Sequence, residues 1–144
     1  MPGPTSNSRV SAGAFTVTVG GEPRFVDTVR LLTHKAAEAD GCAESDADRL
    51  AEAVEYVLRA FMDTSVAPPE SVDVRFAPSN DMLQVEIGVP QSGAGGRSVE
   101  AVLEQRGLLP GLRRLVPDVQ FIRTGGMDLC RFRCPRAPRR TPDR

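Results

Sequence analysis

Tryptophan is absent from the sequence, and tyrosine and histidine occur once each. Proteins that bind single-stranded nucleic acid stack bases on several aromatic side chains, so this class is not expected. The formal net charge of −1 leaves no excess of positive charge for a nucleic-acid backbone. A run of about eighteen apolar residues is also missing, so no membrane-spanning helix is predicted. Because the first residues contain no apolar segment of signal-peptide length, we expect a cytoplasmic protein.

Cysteine is scarce as well, and Cys42, Cys130 and Cys134 are too few for a disulfide framework. Cys130 and Cys134 are predicted to lie on one face of a strand. A zinc site there would need further thiolate or imidazole ligands, and the single histidine, His34, falls in a predicted helix. We therefore expect no metal site and interpret the cysteines as buried or half-buried thiols, with no role assigned to Cys130 and Cys134.

The apolar residues that are present recur at helical and strand spacings and predict the order β-α-α-β-β-α-α-β-β. In chain order the segments are a strand at 14–21, a helix at 22–40, a helix capped by Ser45, a hairpin turning at 79–81, a helical stretch broken near Gly107, and a hairpin turning at 124–127. Strands that occur as neighbouring pairs favour a mixed, mostly antiparallel sheet. We expect an α/β two-layer sandwich of the α+β class, with helices covering one face of the sheet.

The two ends of the chain differ in composition from the part between them. Residues 1–13 are rich in proline, glycine and serine, and residues 135–144 form a basic, proline-rich tail. Such segments contain too little apolar surface to fold, so both ends are predicted to be disordered. Residues 14–134 remain as a single domain, which is long enough to bury one core.

Five strings within residues 14–134 resemble segments of a known family in their order and approximate spacing. They are EPRFVDTVRLLTHKAAEADG, DADRLAEAVEYVLRAF, LQVEIGVPQSG, QRGLLPGLRRLVPDVQF and GGMDLCRFR. The family is the GHKL (histidine-kinase-like) ATPase fold, in the form used by bacterial anti-sigma factors that are also serine-protein kinases. The resemblance implies that residues 14–134 form one histidine-kinase-like ATPase domain with degenerate nucleotide-binding boxes.

The first box of the family carries its catalytic and metal-binding residues. There a Glu activates the attacking group, and an Asn four residues later holds Mg²⁺. In this sequence the resemblance places Glu55 at the Glu position and Arg59 at the Asn position. A guanidinium is always charged and cannot ligate a metal, so no Mg²⁺ is expected here.

The other two boxes are also altered. The family Asp that accepts a hydrogen bond from the adenine amino group falls at Val89, which has no acceptor, while the later Gly93 is retained. In the third box Gly107 and Leu108 match, but Pro110 follows them in the helix whose N-terminus would face phosphate. The degenerate pocket positions are therefore Glu55, Arg59, Val89, Gly93, Gly107 and Leu108.

These departures predict a degenerate anti-sigma-factor-like regulatory protein that has lost ATP binding and needs no cofactor. By resemblance, its partner would be a sigma factor or an anti-sigma antagonist of the STAS type, and a homodimer is compatible with the family. The alternative is an active serine-protein kinase that uses ATP and Mg²⁺, with Glu55 as its catalytic residue. A third hypothesis is a sensor in which Arg59 binds an anionic ligand without a metal.

The relation between Glu55 and Arg59 has two interpretations. They lie four residues apart on a predicted helix, with the acid first, which is the favourable order for an ion pair. In one interpretation Arg59 occupies the former metal position and holds a non-functional pocket together. In the other the two residues form an ordinary solvated pair worth about 0.3–0.5 kcal/mol.

Overall fold

The computed structural model describes residues 14–62, 69–79, 81–90 and 98–136. Within these ranges one five-stranded sheet carries four α-helices on one face, which confirms the predicted two-layer class. The helices are α1 (Val26–Ala39), α2 (Glu44–Met62), α3 (Val99–Gln105) and α4 (Leu109–Leu115). The strands are β1 (Phe15–Gly20), β2 (Ser71–Pro78), β3 (Met82–Pro90), β4 (Val119–Thr124) and β5 (Met127–Pro135).

The strand order is β1-β2-β3-β5-β4, and all four pairings are antiparallel. Both predicted hairpins are present. The second turns through Gly125 and Gly126, and the positive φ of 88° at Gly126 is a conformation that glycine adopts without a steric penalty. The last strand, β5, lies between β3 and β4 and thereby joins the two hairpins into one sheet.

The core lies between the sheet and α2, and the alternation of each strand decides which residues enter it. On β5 the side chains of Asp128, Cys130, Phe132 and Cys134 face the helices and are buried. The helix α2 contributes the largest buried set from one element: Ala47, Leu50, Ala51, Ala53, Val54, Val57, Leu58, Ala60 and Met62. Within the described ranges, no helix is both long enough and apolar enough to cross a bilayer.

Two glycines end helices in the same way. Gly41 follows α1 with φ of 90°, and Gly107 follows α3 with φ of 69°. In both cases the glycine N–H and the next N–H bond back to carbonyls of the last helical turn, as in a Schellman motif. The end predicted for the first helix at Gly41 is therefore confirmed, and so is the break at Gly107.

The helix starts differ from the prediction. A 3₁₀ turn at Pro23–Phe25 precedes α1, which begins at Val26 instead of residue 22. The helix α2 begins at Glu44, and the Ala47 N–H already donates to Ala43 O at 2.8 Å, so the prediction that Ser45 caps it is wrong. The physical reason is that an acidic residue at the start of α2 complements the helix dipole, so the helix begins two residues earlier than a Ser45 cap would allow.

Some predictions fall outside the described residues, namely those on residues 1–13, Gly93 and most of the basic tail. Near the tail, β5 extends to Pro135, and the Arg136 N–H donates to Asp81 O at 3.0 Å. The last strand therefore includes Pro135, one residue past the predicted domain end at residue 134.

Candidate functional site

The candidate site is an ion-pair cluster formed by α1 and α2. Arg30 Nε lies 3.1 Å from Glu55 Oε1, and Arg59 Nε donates to Glu55 Oε2 at 2.9 Å. Arg59 Nη2 also lies 3.5 Å from Asp27 Oδ1 on α1. Each carboxylate oxygen of Glu55 is thus held by a different guanidinium. We refer to Asp27, Arg30, Glu55 and Arg59 as the α1–α2 ion cluster.

The apolar stripe of α2 explains why this cluster forms at the edge of the helical layer. The stripe faces the sheet and α1, so residues beside it, such as Glu55, are left half-buried along the α1 contact. The Glu55 side chain is 24% exposed, whereas Arg30 and Arg59 are 48% and 42% exposed. The formal charges of the two acids and two arginines sum to zero, so the cluster carries no net charge.

The cluster limits what Glu55 can do chemically. A general base must offer a free oxygen to the proton that it removes. Each oxygen of Glu55 already accepts one charge-assisted contact, so a substrate hydroxyl would compete with Arg30 and Arg59 for the remaining lone pairs. Arg30 was not among the predicted site residues. Its helical position one turn after Asp27 could have indicated an outward-facing charge, but only packing of α1 on α2 places it on Glu55.

Val89 lies near the end of β3 and is buried, with 4% of its surface exposed. It is paired in register with Asp128 on β5. The Val89 side chain forms part of the core and brings no hydrogen-bond acceptor to this position. Asp128 does bring a buried carboxylate, but it faces Arg123, whose Nε and Nη2 donate to its two oxygens at 2.7 and 3.2 Å.

Gly107 and Leu108 lie between α3 and α4. Gly107 ends α3, and Leu108 packs partly against the core and precedes the first turn of α4. Pro110 lies in that first turn, where the missing proline N–H would have no helical partner in any case. The retained glycine therefore has a structural role in the chain reversal between two short helices.

The segment with these two residues is packed directly on α2. Arg106 Nη1 donates to Ala60 O at 2.8 Å, and a Cβ added to Gly111 would lie 2.3 Å from the Tyr56 hydroxyl. Tyr56 directly follows Glu55 on α2, and Ala60 directly follows Arg59. The α3–α4 segment and the ion cluster therefore lie on neighbouring sides of α2. At Gly111 the segment packs against Tyr56 too closely for a side chain to fit between them.

Two open clefts are formed by described residues. The first, of about 310 Å³, is lined by Asp27, Arg30, Leu31, His34, Asp48 and Ala51. The second, of about 220 Å³, is lined by Ser98, Val99, Glu100, Phe121, Ile122, Arg123, Asp128 and Leu129. Neither cleft is lined by Glu55, Arg59, Val89, Gly107 or Leu108. The structure thus brings Glu55 and Arg59 together outside these two clefts.

His34 joins α1 to α2 next to the first cleft. Its Nε2 lies 2.8 Å from Asp48 Oδ1, and its Nδ1 lies 3.5 Å from Glu38 Oε1. His34 lies in a helix as predicted, and in addition it bridges α1 to α2. Among the described residues no group of three or more His, Cys, Asp or Glu side chains could hold a metal ion.

Comparisons with known proteins give one informative result. Neither a family model nor a curated protein matches the chain. Among solved structures, the chain is similar to the RsbU and RsbW domains of Rv1364c from Mycobacterium tuberculosis, with a TM-score of 0.61 and 14% sequence identity. The likeness shows the fold. It covers 90% of this chain but only 34% of the other, so this chain spans about a third of that protein's length.

Proposed function

We propose that this chain is a regulatory protein of the anti-sigma-factor type, which acts by binding a protein partner and has lost ATP binding. The observation that carries the proposal is the α1–α2 ion cluster, in which guanidinium groups occupy both oxygens of Glu55. The fold likeness to a crystal structure of RsbU and RsbW domains supports the regulatory class.

The charge of Arg59 opposes the binding of Mg²⁺. In the family that the sequence resembles, this position holds an amide ligand, whereas here a permanent positive charge lies 2.9 Å from Glu55. Neither Arg59 nor Arg30 has a lone pair with which to ligate a divalent ion, so a triphosphate bound here would lack its metal.

Adenine binding is expected to be weak for a different reason. Val89 is a buried core residue, so an adenine amino group at this position would meet an apolar side chain. An unsatisfied buried donor costs about 1–3 kcal/mol. Together with the missing metal ligand, this loss favours a protein that works without nucleotide.

Calorimetric titration of the purified chain with ATP, with and without Mg²⁺, tests the loss of nucleotide binding. We expect no measurable heat from the wild type. Arg59→Asn removes the repelling charge, and Arg49→Asn is the matched control, because Arg49 is an exposed α2 arginine that pairs with Asp46 instead of Glu55. Clear Mg²⁺-dependent binding by the wild type at micromolar concentration would overturn the proposal and favour the active serine-protein kinase.

The partner is tested separately with purified sigma factors and purified STAS-domain proteins from the same organism. We expect one of the two classes to form a complex with the full chain in the absence of nucleotide. Light scattering on the same samples reports whether the free chain is a homodimer. A complex that forms only with ATP and Mg²⁺, or transfer of phosphate to a serine of the partner, would contradict the proposed mechanism.

A further inference from the structure

Two of the three buried thiols meet although they are far apart in the sequence. Cys42 lies in the turn between α1 and α2, and Cys134 is the last inward-facing residue of β5. Arg136, two residues after Cys134, donates from Nε to Asp40 O beside Cys42, and the two thiols form a side-chain pair in which each perturbs the other's pKa. The Cys134 thiol also lies 3.6 Å from Pro135 O, to which it can donate. All three cysteines are free thiols.

Backbone hydrogen bonds fix both sides of this contact. The Cys42 N–H donates to Ala37 O at 3.0 Å as part of the helix end at Gly41. Cys134 is paired in register with Leu83 of β3. Arg136 Nε also donates to Asp40 O at 3.1 Å and joins the turn to the end of β5. The backbone at both cysteines is therefore fixed by regular structure, and the turn is joined to the end of β5.

The surroundings distinguish the two thiols. The hydrogen bond from Cys134 lowers the pKa of Cys42 and outweighs the opposing effects of burial and of the Asp40 and Asp46 charges, whereas the same bond and burial raise the pKa of Cys134. Cys42 also lies two residues before α2, where the helix dipole favours negative charge. Cys42 is thus the better nucleophile, and Cys134 remains a protonated neighbour.

A buried acceptor with no hydrogen-bond partner lies near this pair. Asp40 Oδ2 is buried and has no hydrogen-bond partner among the described residues. Its charge raises the pKa of the Cys42 thiol, which places Asp40 close to the same space, although this effect is smaller than that of the Cys134 hydrogen bond. Hydrogen peroxide is small and donates hydrogen bonds, so Asp40 is suited to hold it next to Cys42. Bulkier disulfide reagents are disfavoured, because Cys42 and Cys134 are only 8% and 4% exposed.

We propose that Cys42 and Cys134 form a two-cysteine oxidation site that takes hydrogen peroxide and closes to an intramolecular disulfide. The Cys42 thiolate attacks one peroxide oxygen, the O–O bond breaks, and the leaving hydroxide takes a proton to become water. The Cys134 sulfur then attacks the resulting sulfenic sulfur, the S–O bond breaks, and the Cys134 proton leaves with the hydroxide as a second water. Two thiols are oxidised, and one peroxide is reduced to two waters.

Cys130 is excluded from this chemistry by its position. It lies four residues before Cys134 on the same face of β5, which places the two about 13 Å apart along the strand. A disulfide requires Cα atoms within about 7 Å. Burial also raises the pKa of Cys130. Cys130 therefore serves as an internal control within the same chain.

Thiol counting on the full chain tests the proposal. The reduced native protein is treated with hydrogen peroxide, which is then removed, and the chain is unfolded in guanidinium chloride with N-ethylmaleimide so that buried thiols also react. Labels are counted by intact mass, and disulfides are located by non-reducing peptide mapping. We expect maleimide labels to fall from three to one, a peptide pair joining Cys42 to Cys134, and recovery of three labels after reduction with dithiothreitol. Three labels after peroxide treatment would overturn the proposal, and so would a disulfide to Cys130 or between two chains.

Single substitutions separate the roles of the thiols. Cys130→Ala is expected to keep the Cys42–Cys134 crosslink. Cys134→Ala is expected to stop at a sulfenic acid on Cys42, which dimedone labels, whereas Cys42→Ala is expected to leave Cys134 as a free thiol. A dimedone label on Cys134 in the Cys42→Ala variant would contradict the assigned nucleophile. The wild-type mapping does not depend on the folding of any variant, and the proposal does not rest on nucleotide or partner binding.

Discussion

Glu55 is the residue at which the enzymatic and the non-enzymatic interpretations separate. Sequence spacing alone predicts its pair with Arg59, because residues four apart on a helix are neighbours. The contact with Arg30 could not be read from the sequence, because it depends on how α1 is rotated against α2. The resemblance predicts from residue type that the metal ligand and adenine anchor are missing, whereas the second guanidinium on Glu55 could be found only in the packed structure.

Double-mutant cycles on Glu55 measure how strongly the ion cluster contributes to stability. We expect coupling energies of about 0.3–1 kcal/mol for Glu55 with Arg59 and with Arg30, because all three side chains are partly exposed. Urea unfolding of the alanine single and double variants gives these values, and they should decrease at high salt. The exposed pair of Arg49 with Asp46 is the control. A coupling above about 2 kcal/mol would mean that the cluster is buried more deeply than the structure indicates.

Asp128 is a buried carboxylate that the sequence analysis did not single out. The signal was present, because Asp128 alternates in step with Cys130 and Phe132 and must face the helices. Asp128→Ala removes the acceptor of both Arg123 hydrogen bonds. We expect a loss of about 1–3 kcal/mol in the free energy of unfolding, measured in urea. Asp118→Ala is the control, because Asp118 is half exposed and lies 3.9 Å from Arg133; an equal loss in both variants would contradict the prediction.

Helix ends and hairpin turns were predicted correctly where neighbouring residues determine the backbone conformation. Gly41 and Gly107 end helices because a positive φ is needed there, and both hairpins follow from polar or glycine turns between alternating strands. The start of α1 was less predictable, because the apolar period continues through the 3₁₀ turn at Pro23–Phe25. Periodicity places the buried face of a helix more reliably than it places the first residue.

Gly107 offers a test of whether a retained box glycine serves the fold. A Cβ at this position would meet no atom within 4 Å, so substitution acts only through the backbone at φ of 69°. We expect Gly107→Ala to lower the free energy of unfolding by about 1–2 kcal/mol. Gly107→Asn should cost less, because asparagine tolerates the left-handed region. Equal losses for the two variants, measured by urea unfolding, would show that conformation is not the cause.

At the scale of the whole molecule, the fold class was predictable but the strand order was not. Counting strands in adjacent pairs favours an antiparallel sheet with helices on one side. The placement of β5 between β3 and β4 depends on contacts between residues about 45 apart, such as Arg131 with Glu86. The same long-range closure brings Cys134 to Cys42. The candidate oxidation site therefore depends on the strand order of the sheet, and no local sequence motif predicts it.

Closing the Cys42–Cys134 disulfide should stabilise the oxidised chain. The bond would join residues about 90 apart and remove conformational entropy from the unfolded state, with an upper limit of about 4–5 kcal/mol. We expect peroxide treatment to raise Tm by about 5–15 °C and dithiothreitol to reverse the rise, as measured by circular dichroism. Cys134→Ala should show no rise, while Cys130→Ala should retain it. An oxidised wild type that unfolds at or below the reduced Tm would mean that the bond strains the native turn at Gly41 and that stabilisation is not its consequence.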